Sequence, residues 1–176
     1  MSTINRSKLK ERLMGEQQQF INDHPKSKAL YEKAKTSLLD GVPMPWMTEW
    51  PSPFPLFIKE ASGAHFTDVD EHEYIDFCLG DTGAMTGHAP ELSVREIQKA
   101  MAKGFTFMCP TENSLWVGEE LARRFGLPYW QLAMTATDAN RFCIRLARHV
   151  TGRPKILVFN YCYHGTVDEA QIILVE

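Results

Sequence analysis

The sequence predicts an α/β fold that follows a helical arm and a small β-meander. Three patterns support this expectation: helix-forming composition at the start, short β-like runs from residue 56, and alternating helical and strand patterns from residue 91. Hydrophobic residues make up 44% of the 176 residues, which is enough for a folded core.

The first 55 residues are predicted to form an arm and a strap. Residues 6–23 and 27–39 are rich in Lys, Glu, Gln, Leu and Ala, which indicates two helices separated at Pro25. The segment 42–55 contains five prolines and two tryptophans. This composition favours an extended strap that lies across another surface rather than a helix.

The rest of the chain, residues 56–176, is predicted to contain the meander and the α/β part. Strand-like runs occupy residues 56–59, 64–68, 73–77, 129–134 and 155–160, and helical patterns occupy residues 91–103, 113–125 and 138–150. The apolar face of the helix at 138–150 is expected to pack on the sheet. The continuous apolar run at 156–159 is typical of a strand covered on both faces.

Composition and charge exclude several classes of partner. The net charge is −3, and the sequence contains no basic stripe that would bind nucleic acid. No apolar run is long enough for a membrane span. The polar N-terminus lacks an export signal, so we expect a soluble cytoplasmic protein. The four cysteines are widely spaced, which predicts free, buried thiols and no metal site.

One turn has the composition of an anion-binding site. The segment Leu132–Asn140 is rich in small and hydroxyl-bearing residues and lies between a predicted strand and a predicted helix. Backbone N–H groups at a helix N-terminus favour a phosphate. Further along the chain, Tyr163-His164-Gly165 offers an aromatic face for a planar ring. An ordinary helix cap also explains the turn taken alone.

Taken in order, these features resemble the class III aminotransferases, a fold-type I pyridoxal phosphate family that includes glutamate-1-semialdehyde aminomutases. The landmarks are Gly41-Val42, Asp68-Val69-Asp70, Tyr74 to Phe77, Gly87 to Glu91, Thr135 to Asn140, Thr151 to Lys155 and Tyr163-His164-Gly165. The resemblance covers nearly the whole chain. It implies the pyridoxal phosphate transferase fold, with an incomplete large-domain sheet.

The resemblance also implies a cofactor and its binding residues. The phosphate of pyridoxal 5'-phosphate would be bound by Thr135, Ala136 and Thr137, where relatives commonly have Ser-Gly-Thr. Tyr163 would stack on the pyridine ring, with His164 beside it. The substrate-pocket candidates implied in the same way are Trp46, Asp81 and Thr82.

No catalytic residue is assigned within these 176 residues. The aspartate that pairs with the pyridine nitrogen and the lysine that forms the Schiff base lie later in relatives, and the last lysine here is Lys155. The chain is therefore expected to be a truncated N-terminal portion that is inactive alone. The full-length family implies a homodimer that transfers an amino group between an amine or amino acid and a carbonyl acceptor.

Several alternatives remain open from the residues. The chain is either such an enzyme portion or a non-catalytic fragment or pseudoenzyme that binds the cofactor weakly or associates with intact relatives. Asp81-Thr82-Gly83 matches the aspartic protease signature, although helical patterns surround it. Cys162 and His164 suggest a thiol and its base, and the acidic segment 68–73 suggests a metal loop. A solvated hairpin turn is the preferred interpretation of that segment.

Overall fold

A computed structural model describes residues 4–159 and 162–170 as helices and a small antiparallel sheet, an α/β arrangement. The helices are α1 (Arg6–Asp23), α2 (Pro25–Ala34), α3 (Glu91–Met101), α4 (Glu112–Phe125) and α5 (Ala136–Thr151), and the strands are β1 (Ile58–Ser62), β2 (His65–Asp68) and β3 (Glu73–Ile75). The chain divides into two compact units, Met1–Thr106 and Phe107–Glu176. The predicted domain boundary after residue 55 lies within the first unit and stays a prediction.

The arm forms at the predicted place. The side chain of Asn5 accepts a hydrogen bond from the Lys8 amide and so caps α1. Pro25 begins α2, where its missing N–H has no intrahelical partner to lose. The Asp70 carboxylate accepts hydrogen bonds from the Lys26 and Ser27 amides at 2.7 and 2.9 Å. The turn after β2 therefore caps α2 and connects the meander to the arm.

The three strands form a meander in the order β1-β2-β3, and both pairings are antiparallel. Phe66 lies opposite Tyr74, and their rings stack with centroids 4.9 Å apart. A bulge between Ile58 and Glu60 interrupts the first pairing. The predicted meander is confirmed, but β1 begins two residues later and ends three residues later than predicted, and β2 and β3 are shorter than predicted.

The core of the first unit is small and lies between the arm and the strap. Val42 and Phe54 are buried there, and the Phe54 ring lies 5.1 Å from that of Phe20. A first short 3₁₀ turn, Leu39–Gly41, precedes the strap, and a second, Pro45–Thr48, lies within it, so the strap is not wholly extended. Proline at the start of the second turn fixes a φ angle that suits a 3₁₀ helix.

Two expectations for the α/β part are wrong. Neither 129–134 nor 155–159 is a strand, because neither segment pairs with another strand within the described ranges. Residue 160 lies outside those ranges. The apolar face of α5 is also uncovered, since Phe142, Leu146 and Val150 are 41%, 62% and 81% exposed. The cysteines are free as expected, but all four are exposed rather than buried.

None of the helices within residues 4–159 and 162–170 combines the length and the apolarity that a bilayer span requires.

Candidate functional site

The second unit brings the hydroxyl-rich turn and the Tyr163 loop together. Thr166 donates its backbone N–H to Thr137 Oγ1 at 3.3 Å, and the Asn140 side-chain amide donates to the His164 carbonyl at 2.8 Å. Two segments that are 24 to 29 residues apart in sequence are thus held side by side. We call this pair, residues 135–140 and 163–166, the N-terminal cup of α5.

Thr135 is the N-cap of α5, in an extended conformation that ends at the helix start. Its hydroxyl oxygen accepts from the Asp138 amide at 3.1 Å and its O–H donates to the Asp138 carboxylate at 2.9 Å. The Ala139 amide bonds to the Thr135 carbonyl. The helix offers no partner to the two remaining amides of its first turn, those of Ala136 and Thr137.

These two amides make the cup suitable for an anion. They lie at the positive end of a 16-residue helix, where an anion is stabilised by both hydrogen bonding and the helix dipole. The Asp138 carboxylate is the opposing charge at the same end. That carboxylate accepts from the Thr135 hydroxyl, so Thr135 and Asp138 cap the helix together.

Gly165 allows the loop to pass close to α5. It has a φ angle of +91°, and a Cβ atom at this position would lie 2.6 Å from Thr137 Oγ1 and 3.1 Å from Thr137 Cα. Only glycine accommodates both the backbone conformation and this approach. The loop places Tyr163 with its side chain exposed, whereas the Nε2 atom of His164 is buried and has no hydrogen-bond partner in the described part of the chain.

The substrate-pocket candidates belong to the first unit. Trp46 lies in the second 3₁₀ turn and is about half exposed. Asp81 and Thr82 follow β3 in a tight turn and have positive φ angles of 55° and 70°. The structure does not bring Trp46 and this turn into a described contact with each other.

The turn that contains Asp81 and Thr82 depends on Asp76, which the sequence patterns did not indicate as a site residue. The Asp76 carboxylate accepts hydrogen bonds from the amides of Cys78, Leu79 and Gly80, at 2.9 to 3.1 Å. It also lies 2.7 Å from His88 Nε2. The hydrogen bond with His88 and the three amides hold the pKa of Asp76 below its ordinary value, although burial opposes them.

The signal that identifies Asp76 is local. An aspartate that follows a strand and precedes a glycine-containing turn commonly bonds to the backbone amides two to four residues later. His88 also has a structural role at this turn, since its backbone pairs with Gly63 and its ring bonds to Asp76.

Comparison with known proteins decides the family. A model of the family "Aminotransferase class-III" matches residues 46–171. The chain belongs to this family. Glutamate-1-semialdehyde 2,1-aminomutase of Methanocaldococcus jannaschii is 36% identical over 146 residues, which are 81% of this chain and 33% of the relative. The same-named protein of a Polaromonas species is 39% identical over 143 residues, 80% of this chain and 32% of the relative.

Solved structures agree with the family assignment. A glutamate-1-semialdehyde aminomutase from Pseudomonas aeruginosa PAO1 has a TM-score of 0.91 and 48% identity, over 98% of this chain and 38% of that chain. A variant of that aminomutase was solved in complex with PMP. A β-phenylalanine aminotransferase from Variovorax paradoxus has a TM-score of 0.84 and 26% identity, over 90% of this chain and 36% of that chain. The class III chain described here spans about a third of the length of the curated relatives it matches.

Proposed function

We propose that this chain is the cofactor-phosphate-binding portion of a class III pyridoxal phosphate-dependent aminotransferase or aminomutase. The N-terminal cup of α5 carries the proposal, because it offers two backbone amides at a helix N-terminus beside an exposed aromatic side chain. The family assignment makes pyridoxal 5'-phosphate the expected ligand. The P. aeruginosa relative, whose variant was solved in complex with PMP, supports this choice.

The residues of the cup fit a phosphate and a planar ring. The amides of Ala136 and Thr137 would donate to the phosphate, and the Tyr163 ring would cover one face of the pyridine. His164 would contribute its buried Nε2 atom, which has no partner in the described residues. The bound cofactor supplies an electron sink for chemistry at the carbon that carries the amino group.

The chain by itself is proposed not to complete amino transfer. The lysine and the aspartate that the family needs for catalysis have no counterpart that we assign among these residues. Lys155, the last lysine, follows α5 and precedes the segment 156–159. In the whole enzyme, the substrates would be an amine or amino acid and a carbonyl acceptor. Trp46, Asp81 and Thr82 would line the substrate pocket, and a homodimer would be the active assembly.

The first experiment removes one phosphate donor without disturbing the helix. Proline at the first position of a helix is well tolerated, so Ala136→Pro deletes an N–H at the cup and leaves α5 able to form. The preceding residue Thr135 is already extended, which proline requires of its neighbour. We expect the affinity for pyridoxal phosphate to fall about 10- to 100-fold. Tyrosine fluorescence and cofactor absorption monitor the binding.

A matched variant controls for the proline itself. Glu112→Pro makes the same change at the first residue of α4, after Thr111, which is also extended. Its affinity for pyridoxal phosphate should equal that of the unsubstituted chain. Equal affinity of the two proline variants would contradict the assignment of the Ala136 amide to the phosphate.

A second experiment tests catalytic incompleteness. The chain is incubated with pyridoxal phosphate, reduced with borohydride and mapped by mass spectrometry. We expect no single lysine to carry the cofactor, and no amino transfer from a panel of amines to keto acids. Stoichiometric fixation at one lysine would show that the chain contains a catalytic lysine, and this part of the proposal would be wrong.

A further inference from the structure

Two histidines and one aspartate meet where the arm lies against the meander. His24 joins α1 to α2, Asp68 ends β2, and His72 lies in the turn before β3. Asp68 is fully buried, His24 is 7% exposed, and the side chain of His72 is 42% exposed. The three residues thus form a polar cluster that is buried on one side and open to solvent through His72.

The spacing of the facing atoms suits a transition-metal ion. His24 Nε2 lies 3.5 Å and His72 Nδ1 lies 3.2 Å from Asp68 Oδ2, and the three ligand atoms are within 4.8 Å of one another. Zinc bonds of 2.0 to 2.2 Å in a tetrahedral arrangement place ligand atoms about 3.3 Å apart. Two of the three separations match this value, and rotation of the half-exposed His72 ring adjusts the third.

Backbone hydrogen bonds orient two of the three side chains, those of His24 and Asp68. His24 Nδ1 lies 2.7 Å from the Phe20 carbonyl oxygen, which only accepts, so Nδ1 carries the proton. In the neutral ring, the lone pair is therefore on Nε2 and faces Asp68. The other carboxylate oxygen, Asp68 Oδ1, accepts from the amides of Asp70 and His72 at 2.8 and 2.9 Å. Such outer hydrogen bonds orient metal ligands in known sites.

The Tyr74 hydroxyl is shared between two acceptors of the cluster when His24 is neutral. The Tyr74 hydroxyl lies 3.0 Å from Asp68 Oδ2 and 2.7 Å from His24 Nε2. It has one proton to donate, whereas both neighbours are acceptors. His72 Nδ1 lies 3.2 Å from Asp68 Oδ2 and supplies a second proton in one of its tautomers. A bound cation takes the place of these protons at both lone pairs, and the Tyr74 hydroxyl then donates to Asp68 alone.

We propose that His24, Asp68 and His72 bind a zinc ion, which joins the arm to the meander in the first unit. Two imidazoles and one carboxylate form a common zinc ligand set and leave a fourth position for water. One carboxylate also offsets part of the charge of the ion in a place where Asp68 is buried. This site lies in the first unit and is independent of the proposed cofactor function.

The test measures zinc binding by the full chain after treatment with a chelator. The four cysteines are exposed, so they are first alkylated to prevent binding of zinc to thiols. Calorimetric titration should give one zinc ion per chain and a raised midpoint of thermal unfolding. His72→Ala should weaken zinc binding by at least about tenfold and remove the thermal shift.

Two further variants keep the proposal falsifiable. His65→Ala removes an exposed imidazole of the same sheet, 3.0 Å from Glu73, and should leave zinc affinity unchanged. Tyr74→Phe removes the hydroxyl but none of the three ligands, so zinc binding should persist in any variant that folds. Equal weakening by His65→Ala and His72→Ala would overturn the proposal.

Spectroscopy distinguishes the ion from a proton. Cobalt(II) in place of zinc should give the visible absorption of a four-coordinate ion, and His24→Gln should abolish it. If the chain binds no zinc, the proposal is wrong, and nitrogen-15 spectra of the His24 ring then show whether a proton takes the place of the ion.

Discussion

Gly165 is the residue whose substitution tests the N-terminal cup of α5 most directly. An alanine there requires a left-handed φ angle and places its Cβ atom 2.6 Å from Thr137 Oγ1. We expect Gly165→Ala to lower the free energy of unfolding by about 2 to 4 kcal/mol, because conformational strain and a steric clash act together. Chemical denaturation followed by circular dichroism measures the loss.

Gly126→Ala is the control for backbone strain alone. Gly126 also has a positive φ angle, +69°, but a Cβ atom there meets nothing within 4 Å. Its substitution should lower the free energy of unfolding by about 1 kcal/mol. If both variants lose the same stability, the close approach of the loop to Thr137 does not contribute, and the geometry of the cup needs revision.

Asp76 makes the stability of the first unit depend on pH. Because the folded state lowers the pKa of Asp76, the ionised carboxylate contributes stability above the unfolded pKa of about 4, and that contribution is lost as pH falls through the folded pKa. Thermal unfolding of the unsubstituted chain should therefore lose more stability below about pH 4 than that of Asp76→Asn. Glu73→Gln, which alters an exposed carboxylate beside His65, should leave the pH profile unchanged.

At the scale of elements, the caps of α4 and α5 offer a matched comparison. Both helices begin after a threonine, but only the Thr135 side chain bonds to a backbone amide of its helix. Thr135→Ala should lower the free energy of unfolding by about 1 kcal/mol and reduce helicity. Thr111→Ala should lower the free energy of unfolding by only a few tenths of a kcal/mol. Denaturation of both variants checks this, and equal costs would contradict the cap at α5.

Sequence patterns predicted the helices to within about five residues at each end, because helix periodicity and capping are local. The meander was equally predictable, since the segments between its strands contain residues that favour turns. The structure of segments 129–134 and 155–159 was not predictable in this way, because an apolar run indicates a preference for burial but does not specify a partner strand.

The cup was predictable in its parts and not in its assembly. Thr135 to Thr137 and Tyr163 to Gly165 were each identified from local composition and the family resemblance. The contacts between these segments depend on residues such as Asn140 and Thr166, which bond across 24 to 29 residues of sequence. No local pattern encodes those pairings. Asp76 was missed for a different reason, because the predicted strand 73–77 and the landmark Tyr74 to Phe77 both include it, whereas β3 ends at Ile75 and Asp76 begins the turn.

For the whole molecule, apolar surface is the dominant feature of the second unit. The apolar residues of α5 lie along one face, and Leu146 on that face is 62% exposed. We expect the chain to bind the dye ANS, and Leu146→Gln to reduce the fluorescence of the bound dye. Ile4→Gln, which changes a single exposed residue ahead of α1, should not. Unchanged fluorescence in both variants would contradict an accessible apolar face on α5.

The contact of Asp70 with the start of α2 has a consequence for folding. A cap from 44 residues away cannot exist until the turn after β2 has formed, so the first amides of α2 gain these hydrogen bonds only when the hairpin is in place. The hairpin and the second helix of the arm should then gain protection from hydrogen exchange together. Opening of one exposes the other, and the two behave as a single cooperative unit.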